Sequence, residues 1–213
     1  MATFGKITDD CARKLIDENN TAVARSTIQD AINEAIRYWK PKRLWFNTAG
    51  LAVTLAEADT TLTQLPADFL ADVPRNALTI VVNNFPFRVR KVAPVIYDGN
   101  VNNNGTGRPL IYCYRNQAIE IYPYPDKDYD GHFYYIKDYE DFLTDGTQDD
   151  IDNDWTVEAE ALIRSQALAY LHAEERQDFD TADKYSMRAE REYNNLLGRT
   201  NLLLRSGSMA VEG

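Results

Sequence analysis

The apolar residues of this chain change their spacing twice. From about Ile7 to Phe46 they recur every three or four positions, from Ala49 to Lys137 every second position, and from Thr156 to Leu197 every three or four again. The first spacing stripes one face of a helix, and the second fills one face of a strand. Helices, then strands, then helices predicts an α+β chain: a helical bundle formed by the N- and C-terminal helices, with a small antiparallel β domain, sandwich or barrel-like, inserted between them. The divisions expected are 1–48 for the N-terminal helices, 49–137 for the β domain, 138–154 for an acidic linker, 155–199 for a C-terminal helix pair and 200–213 for an extended C-terminal arm. No internal repeat accompanies the pattern.

Within this frame the stretch Ser26–Phe46 organises the rest. Ile28, Ile32, Ala35, Ile36 and Trp39 share one helical face, Ser26 or Thr27 can cap its start, and Lys40-Pro41 must end it. Trp39 is expected in a core shared with the C-terminal helices, together with Phe179. A shorter helix is predicted over Ile7–Glu18, started by Thr8, Asp9 and Asp10 and facing inward through Ile7, Cys11, Leu15 and Ile16.

The middle region reads as six or so short strands. Leu51, Val53 and Leu55 alternate, and Leu62 to Leu65 alternates after a turn, which predicts a hairpin. Leu78–Val82 and Phe85–Lys91 make a second, with an oily face (Phe85, Phe87, Val89) and a basic one (Arg88, Arg90). Pro94–Gly99 suits a short helical turn, and Asn100–Gly107 a surface loop. Leu110–Tyr114 and Ala118–Tyr122 turn at Arg115-Asn116-Gln117, and His132–Lys137 follows as a strand. In the last region one helix runs through Leu162, Ile163, Ala167, Tyr170 and Leu171. A second carries Phe179, Ala182, Tyr185, Ala189, Tyr193, Leu196 and Leu197 and ends near Gly198; Thr200–Gly213 then has no period.

Charge narrows the function. Acidic residues number 33 against 23 basic, a formal net charge of −10, whereas a grip on nucleic acid needs a basic stripe that displaces counterions. DNA can still pass nearby without being held. Eleven acids and two lysines fall between Asp126 and Asp154, so nearly the whole imbalance sits there. Thirteen tyrosines suit half-exposed sheet faces and contacts between subunits. The opening MATFGKITDD has no apolar run of a signal sequence, and no stretch nears the ~20 apolar residues of a membrane span, so synthesis in the cytoplasm and no membrane are expected.

Motifs for chemistry are weak. Asp126-Lys-Asp128-Tyr-Asp130-Gly131 begins like a calcium loop, but its twelfth position is Lys137 where a bidentate Glu belongs. Nothing selects a catalytic pair among the carboxylates, and no motif ties His132 or His172 to Cys11, Cys113 or a serine. The two cysteines read as free thiols in a reducing compartment. No catalytic residue, cofactor or metal is expected, and the reading is not an enzyme.

Five stretches in order carry a resemblance: Ala35–Trp39 with Lys42–Asn47, Leu65–Phe69, Gly107-Arg108-Pro109, Ile119–Asp126, and the paired helices after Trp155. In that order and spacing, over roughly Thr27–Thr200, the chain resembles the head-to-tail adaptor (connector, or neck) proteins of short-tailed bacteriophages. The resemblance implies a structural virion protein at the head–tail junction. It would form a homo-oligomeric ring, usually of twelve copies, beneath the portal protein, extending the channel for DNA ejection and supporting the tail nozzle and, in some phages, tail-fibre proteins. A cytoplasmic binding module without a ring, or a cell-wall-degrading or calcium-dependent accessory enzyme, are the other classes open at this point.

Two sets of contact residues follow. The arm carries Leu202, Leu203, Leu204, Arg205, Met209 and Val211, too little apolar content to fold alone. Extended at ~3.3 Å per residue it spans about 40 Å, and the resemblance assigns such an arm to the portal. Arg88, Arg90, Lys91, Tyr122 and Tyr124 are the candidate subunit contacts, the basic patch being suited to an acidic surface on a neighbour.

Overall fold

The computed structural model describes residues 2–19, 23–62, 65–74, 77–101, 105–116 and 118–206. In chain order the helices are α1 (Phe4–Asn19), α2 (Arg25–Trp39), α3 (Pro94–Val101), α4 (Asp154–Glu158), α5 (Glu160–Glu174) and α6 (Phe179–Ser206). The strands are β1 (Thr48–Leu55), β2 (Thr61–Leu62), β3 (Phe69–Asp72), β4 (Leu78–Val82), β5 (Phe85–Lys91), β6 (Ile111–Arg115), β7 (Ala118–Tyr122) and β8 (Tyr129–Lys137). The fold is mixed α+β. The chain divides into a helical unit, made of residues up to Asn47 and from Tyr139 onward, and a β unit over Thr48–Asp138.

The helical unit has one core, to which α1, α2, α4, α5 and α6 all contribute. Phe4, Ile7, Cys11 and Leu15 line the buried face of α1, which begins at Phe4 and not near Ile7, while Ile16, expected on that face, is exposed. Thr8 is no starter: it is buried, and its hydroxyl donates to the Phe4 carbonyl 2.9 Å away. Helix α2 starts at Arg25, with Ala24 at the cap position and no side-chain cap, so neither Ser26 nor Thr27 plays that part. At its other end the Lys40 N–H reaches the Ile36 carbonyl, and Pro41, with no N–H to give, stops the helix.

Aromatic side chains join segments far apart in sequence. Trp39 is only 4% exposed, and its ring stacks on Tyr193 of α6 at 4.8 Å. Phe46 meets the fully buried Trp155 edge-on at 4.9 Å, and Phe4 stacks on Phe142 at 4.4 Å. Phe179 departs from expectation: at the first position of α6 it is 65% exposed, and the buried face of that helix starts at Ala182.

The acidic segment before α4 is packed. Asn33 of α2, buried, donates to the Phe142 carbonyl and accepts from the Phe142 N–H. Asp149 takes hydrogen bonds from Arg25 and Gln29, and Asp141 from Arg37. The Phe4 and Gly5 N–H groups donate to the Ile151 and Asp149 carbonyls. Its carboxylates therefore serve as acceptors for α2, and its backbone carbonyls for α1. The cap of α4 is Asn153, whose side chain accepts from the Trp155 and Thr156 N–H groups while Thr156 returns a bond to the Asn153 N–H.

In the β unit the strands follow the order β1-β8-β4-β5-β6-β7-β2, with β3 in line with β4 beside β8. The hairpin expected between β1 and the segment after it does not form. β1 pairs with β8 from Thr48↔Ile136 to Leu55↔Tyr129, and the short β2 pairs with β7. Residues 63 and 64 of that expectation lie outside the described ones. The strands at the two ends of the order are thus consecutive in sequence. Five residues, 56–60, join them, a reach of under about 20 Å, so the sheet has to curl.

Contacts across the curl agree: the Tyr112 hydroxyl on β6 donates to Asp72 on β3, and Phe69 meets the Tyr114 ring at 5.3 Å. The result is a curled half-barrel. One pair is parallel, β5 with β6 through Arg90↔Ile111, because α3 makes a crossover between them. The β6–β7 hairpin forms as read, with Asn116 in the left-handed region. Gly131 of β8 allows a close strand approach, since a Cβ there would lie 2.1 Å from the Thr79 carbonyl oxygen.

Candidate functional site

The functional candidates are surfaces, and the C-terminal end of α6 is the first. Sequence reading ended this helix near Gly198 and left Thr200 onward without period; instead it runs unbroken to Ser206. Gly198 faces open space, where glycine costs a helix only about 1 kcal/mol, and Leu and Arg after it are strong helix formers.

Thr200 is buried, donates to the Leu196 carbonyl and accepts from the Trp45 N–H. Arg199 lays its guanidinium 4.3 Å from the centre of the Trp45 ring and pairs with Glu158 at 3.7 Å. Tryptophan, arginine and threonine therefore clamp the helix at residues 199–200. Beyond the clamp Leu202 is 68% exposed and Leu203 half-buried. Leu204 and Arg205 continue the helical backbone, while Met209 and Val211 lie outside the described residues.

The second surface is the β4–β5 hairpin. Its register sets Leu78 opposite Val89, Ile80 opposite Phe87 and Val82 opposite Phe85, all on one face. At the base Leu78, Ile80 and Val89 are buried in the sheet core. Toward the tip the same row emerges, with Phe87 37% and Phe85 68% exposed, and Val81 is exposed on the other face. The expected oily face is thus covered only at its base. Among the described residues β8 accompanies β4 through Leu78–Ile80 and β6 accompanies β5 at Arg90 and Lys91, and no strand covers the tip.

The five candidate subunit contacts separate. Lys91 is already held by Asp72, which also accepts from Tyr112. Burial and that carboxylate raise the pKa of the Tyr112 hydroxyl. Arg88 and Arg90 are exposed, and the Arg108 guanidinium lies 4.6 Å from the centre of the Phe87 ring. Tyr122 and Tyr124 are half-buried and meet edge-on at 5.9 Å, away from the basic strand's register. What the sequence reading missed is this emergence of Phe85 and Phe87, since alternation reveals a face and not what covers it.

The acids that began like a calcium loop go to separate partners. Asp126 accepts from the Tyr129 hydroxyl, Asp128 from the Glu57 N–H and Asp130 from the Thr54 hydroxyl. Among the described residues no group of three or more His, Cys, Asp or Glu is placed to hold a metal ion. Burial pushes the Cys11 thiol up to about 12 and the Cys113 thiol up to about 11, so both stay protonated. Among the described residues no helix is long and apolar enough to cross a membrane.

The third surface is a groove of about 440 Å³ between α2 and α5. Asp30, Glu34, Glu174 and Glu175 stand around it, with Ala31, Tyr170 and Leu171 beneath. Arg37 at its edge is committed to Glu34 at 2.6 Å and to Asp141 at 3.0 Å.

Comparison with known proteins gives one result that spans the molecule. The family described as SU10 adaptor protein matches residues 2–211. No curated protein sequence matches the chain.

Proposed function

We propose that this chain, which belongs to the SU10 adaptor protein family, forms a ring that joins the portal of a phage head to the tail nozzle and extends the DNA channel. Membership makes it a structural phage adaptor and a virion component; the ring, its position and its partners are the finer reading. The observation that carries it is the family match over 2–211, nearly the whole chain. Twelve copies is the number the resemblance implies.

The clamped end of α6 supports the portal contact. Trp45, Arg199 and Thr200 fix where the helix leaves the packed unit, and Leu202 then projects as an apolar group without cover. The portal-binding arm thus begins as a helical spike and not as an extended strand, with Leu202, Leu203, Leu204 and Arg205 as its described part and Met209 and Val211 beyond. A weak grip per copy suffices, because a ring engages many arms at once. Tail nozzle and tail-fibre proteins would dock elsewhere on the ring. The net charge of −10 suits a channel that lets DNA slide for ejection without sequence-specific binding.

The test is native mass spectrometry of the purified chain, alone and mixed with portal particles, beside a variant truncated after Thr200. The full chain is expected to add to portals in a fixed multiple. The truncated chain should keep its melting temperature and lose co-sedimentation. A full chain that stays monomeric in both settings would overturn the ring, and undiminished binding after truncation would overturn the arm.

A further inference from the structure

We propose that the tip of the β4–β5 hairpin of one copy docks head to tail in the acidic groove between α2 and α5 of the next copy. This deepens the ring reading and rests on it. Three properties of the two surfaces match.

The first is apolar content. Phe85 and Phe87 form the uncovered end of a row that is core at its base, and an exposed apolar hairpin end marks a place for a partner or for aggregation. The groove has Ala31, Tyr170 and Leu171 as its floor, and its volume of about 440 Å³ lies in the range of sites that take aromatic groups.

The second is charge. Arg88 and Arg90 stand on the opposite face of the hairpin from Phe85 and Phe87, Arg90 at its base, with no carboxylate partner among the described residues, and Arg108 places a third cation over Phe87. Around the groove Asp30, Glu174 and Glu175 have no cation partner among the described residues either. Arg37 cannot serve them, being held by Glu34 and Asp141. Each surface carries the charge the other lacks, in a chain whose balance is acidic, which favours a second copy as the occupant.

The third is symmetry. The hairpin and the groove are different patches of the same chain, and a contact between unlike patches is heterologous, the kind that closes into a ring when its rotation closes. A contact of one patch with itself would stop at a pair.

Two measurements decide it. In the first, Phe85→Cys chains are mixed with Glu174→Cys chains and oxidised, alone and on portal particles. Cys11 and Cys113 are buried and do not compete. A disulfide-linked pair is expected from this mixture and not from Phe85→Cys with Glu190→Cys, an exposed position on α6, because the bond forms only when Cα atoms come within about 7 Å. In the second, Arg88→Glu with Arg90→Glu should raise the concentration needed for assembly by roughly tenfold or more. Adding Glu174→Arg and Glu175→Arg to the same chain should restore it, and all variants should melt as the parent does.

Assembly that proceeds without the crosslink, or that ignores the charge reversal, would overturn the contact and leave the ring standing. A chain that neither crosslinks nor assembles, alone or on portals, would overturn both.

Discussion

The two units of this molecule are held together in opposite ways. In the helical unit the backbone is satisfied inside each helix, so what joins the elements is side-chain volume: Trp39 on Tyr193, Phe46 on Trp155, Phe4 on Phe142. In the β unit the elements are joined by the backbone ladder itself, and at Gly131 the approach is so close that no side chain fits. One unit should break when atoms are removed and the other when atoms are added. The difference also shows where spare surface arises. Helices from both chain ends close over one core, whereas a curled sheet leaves a hairpin row that outruns its core at Phe87 and Phe85.

The largest effect is expected from Trp39→Ala. It should cost about 3–5 kcal/mol in denaturant unfolding, the range for emptying a large aromatic site. Hydrogen exchange should show protection lost first in α2, α5 and α6. An unchanged melting temperature would mean that side-chain volume does not hold this unit. Gly131→Ala is the converse experiment, adding a methyl against the Thr79 carbonyl. About 3 kcal/mol is expected, with protection lost in β4 and β8; a tolerated alanine would show that the ladder can yield.

Asn33→Ala probes a place where the helical unit depends on a buried side chain's hydrogen bonds to a distant backbone. It strands the N–H and carbonyl of Phe142 and should cost about 2 kcal/mol, more than the same change at the exposed Asn195. Gly198→Ala should go the other way, stabilising α6 by about 0.5–1 kcal/mol, because its Cβ meets nothing. A loss would show that residue 198 needs glycine after all.

The smallest effect concerns pH. Hydrogen bonds from Thr181, side chain first and then backbone, hold the Asp178 carboxyl below its ordinary value. Its contribution is therefore present above the unfolded-state pKa and lost as pH falls through the depressed one. The melting difference between the parent and Asp178→Asn should be seen at neutral pH and should close in acid.

How much of this was legible in the sequence depended on whether the cause was local. The stop after Trp39 could be read because Pro41 acts on its own neighbours. The buried face of α2 could be read because periodicity is a property of the segment. The partners of β1 and β2 could not, because alternation identifies a strand and leaves its neighbour open: β1 pairs some eighty residues downstream. Phe179 kept helical phase with Ala182 yet falls in a first turn that extends beyond the packed region. Gly198 looked like a stop because glycine often follows helices, although nothing local forbids it inside one. The candidate surfaces were half legible. Arg88 and Arg90 stood out by charge, whereas the uncovered Phe85 and Phe87 and the acidic groove required the fold.

The β1–β8 ladder carries a last consequence, for heredity. The chain enters the β unit at Thr48 and leaves it after Ile136 and Lys137, and Thr48 faces Ile136 across the ladder. Entry and exit are adjacent strands, so two recombination breakpoints suffice to exchange everything from 48 to 138.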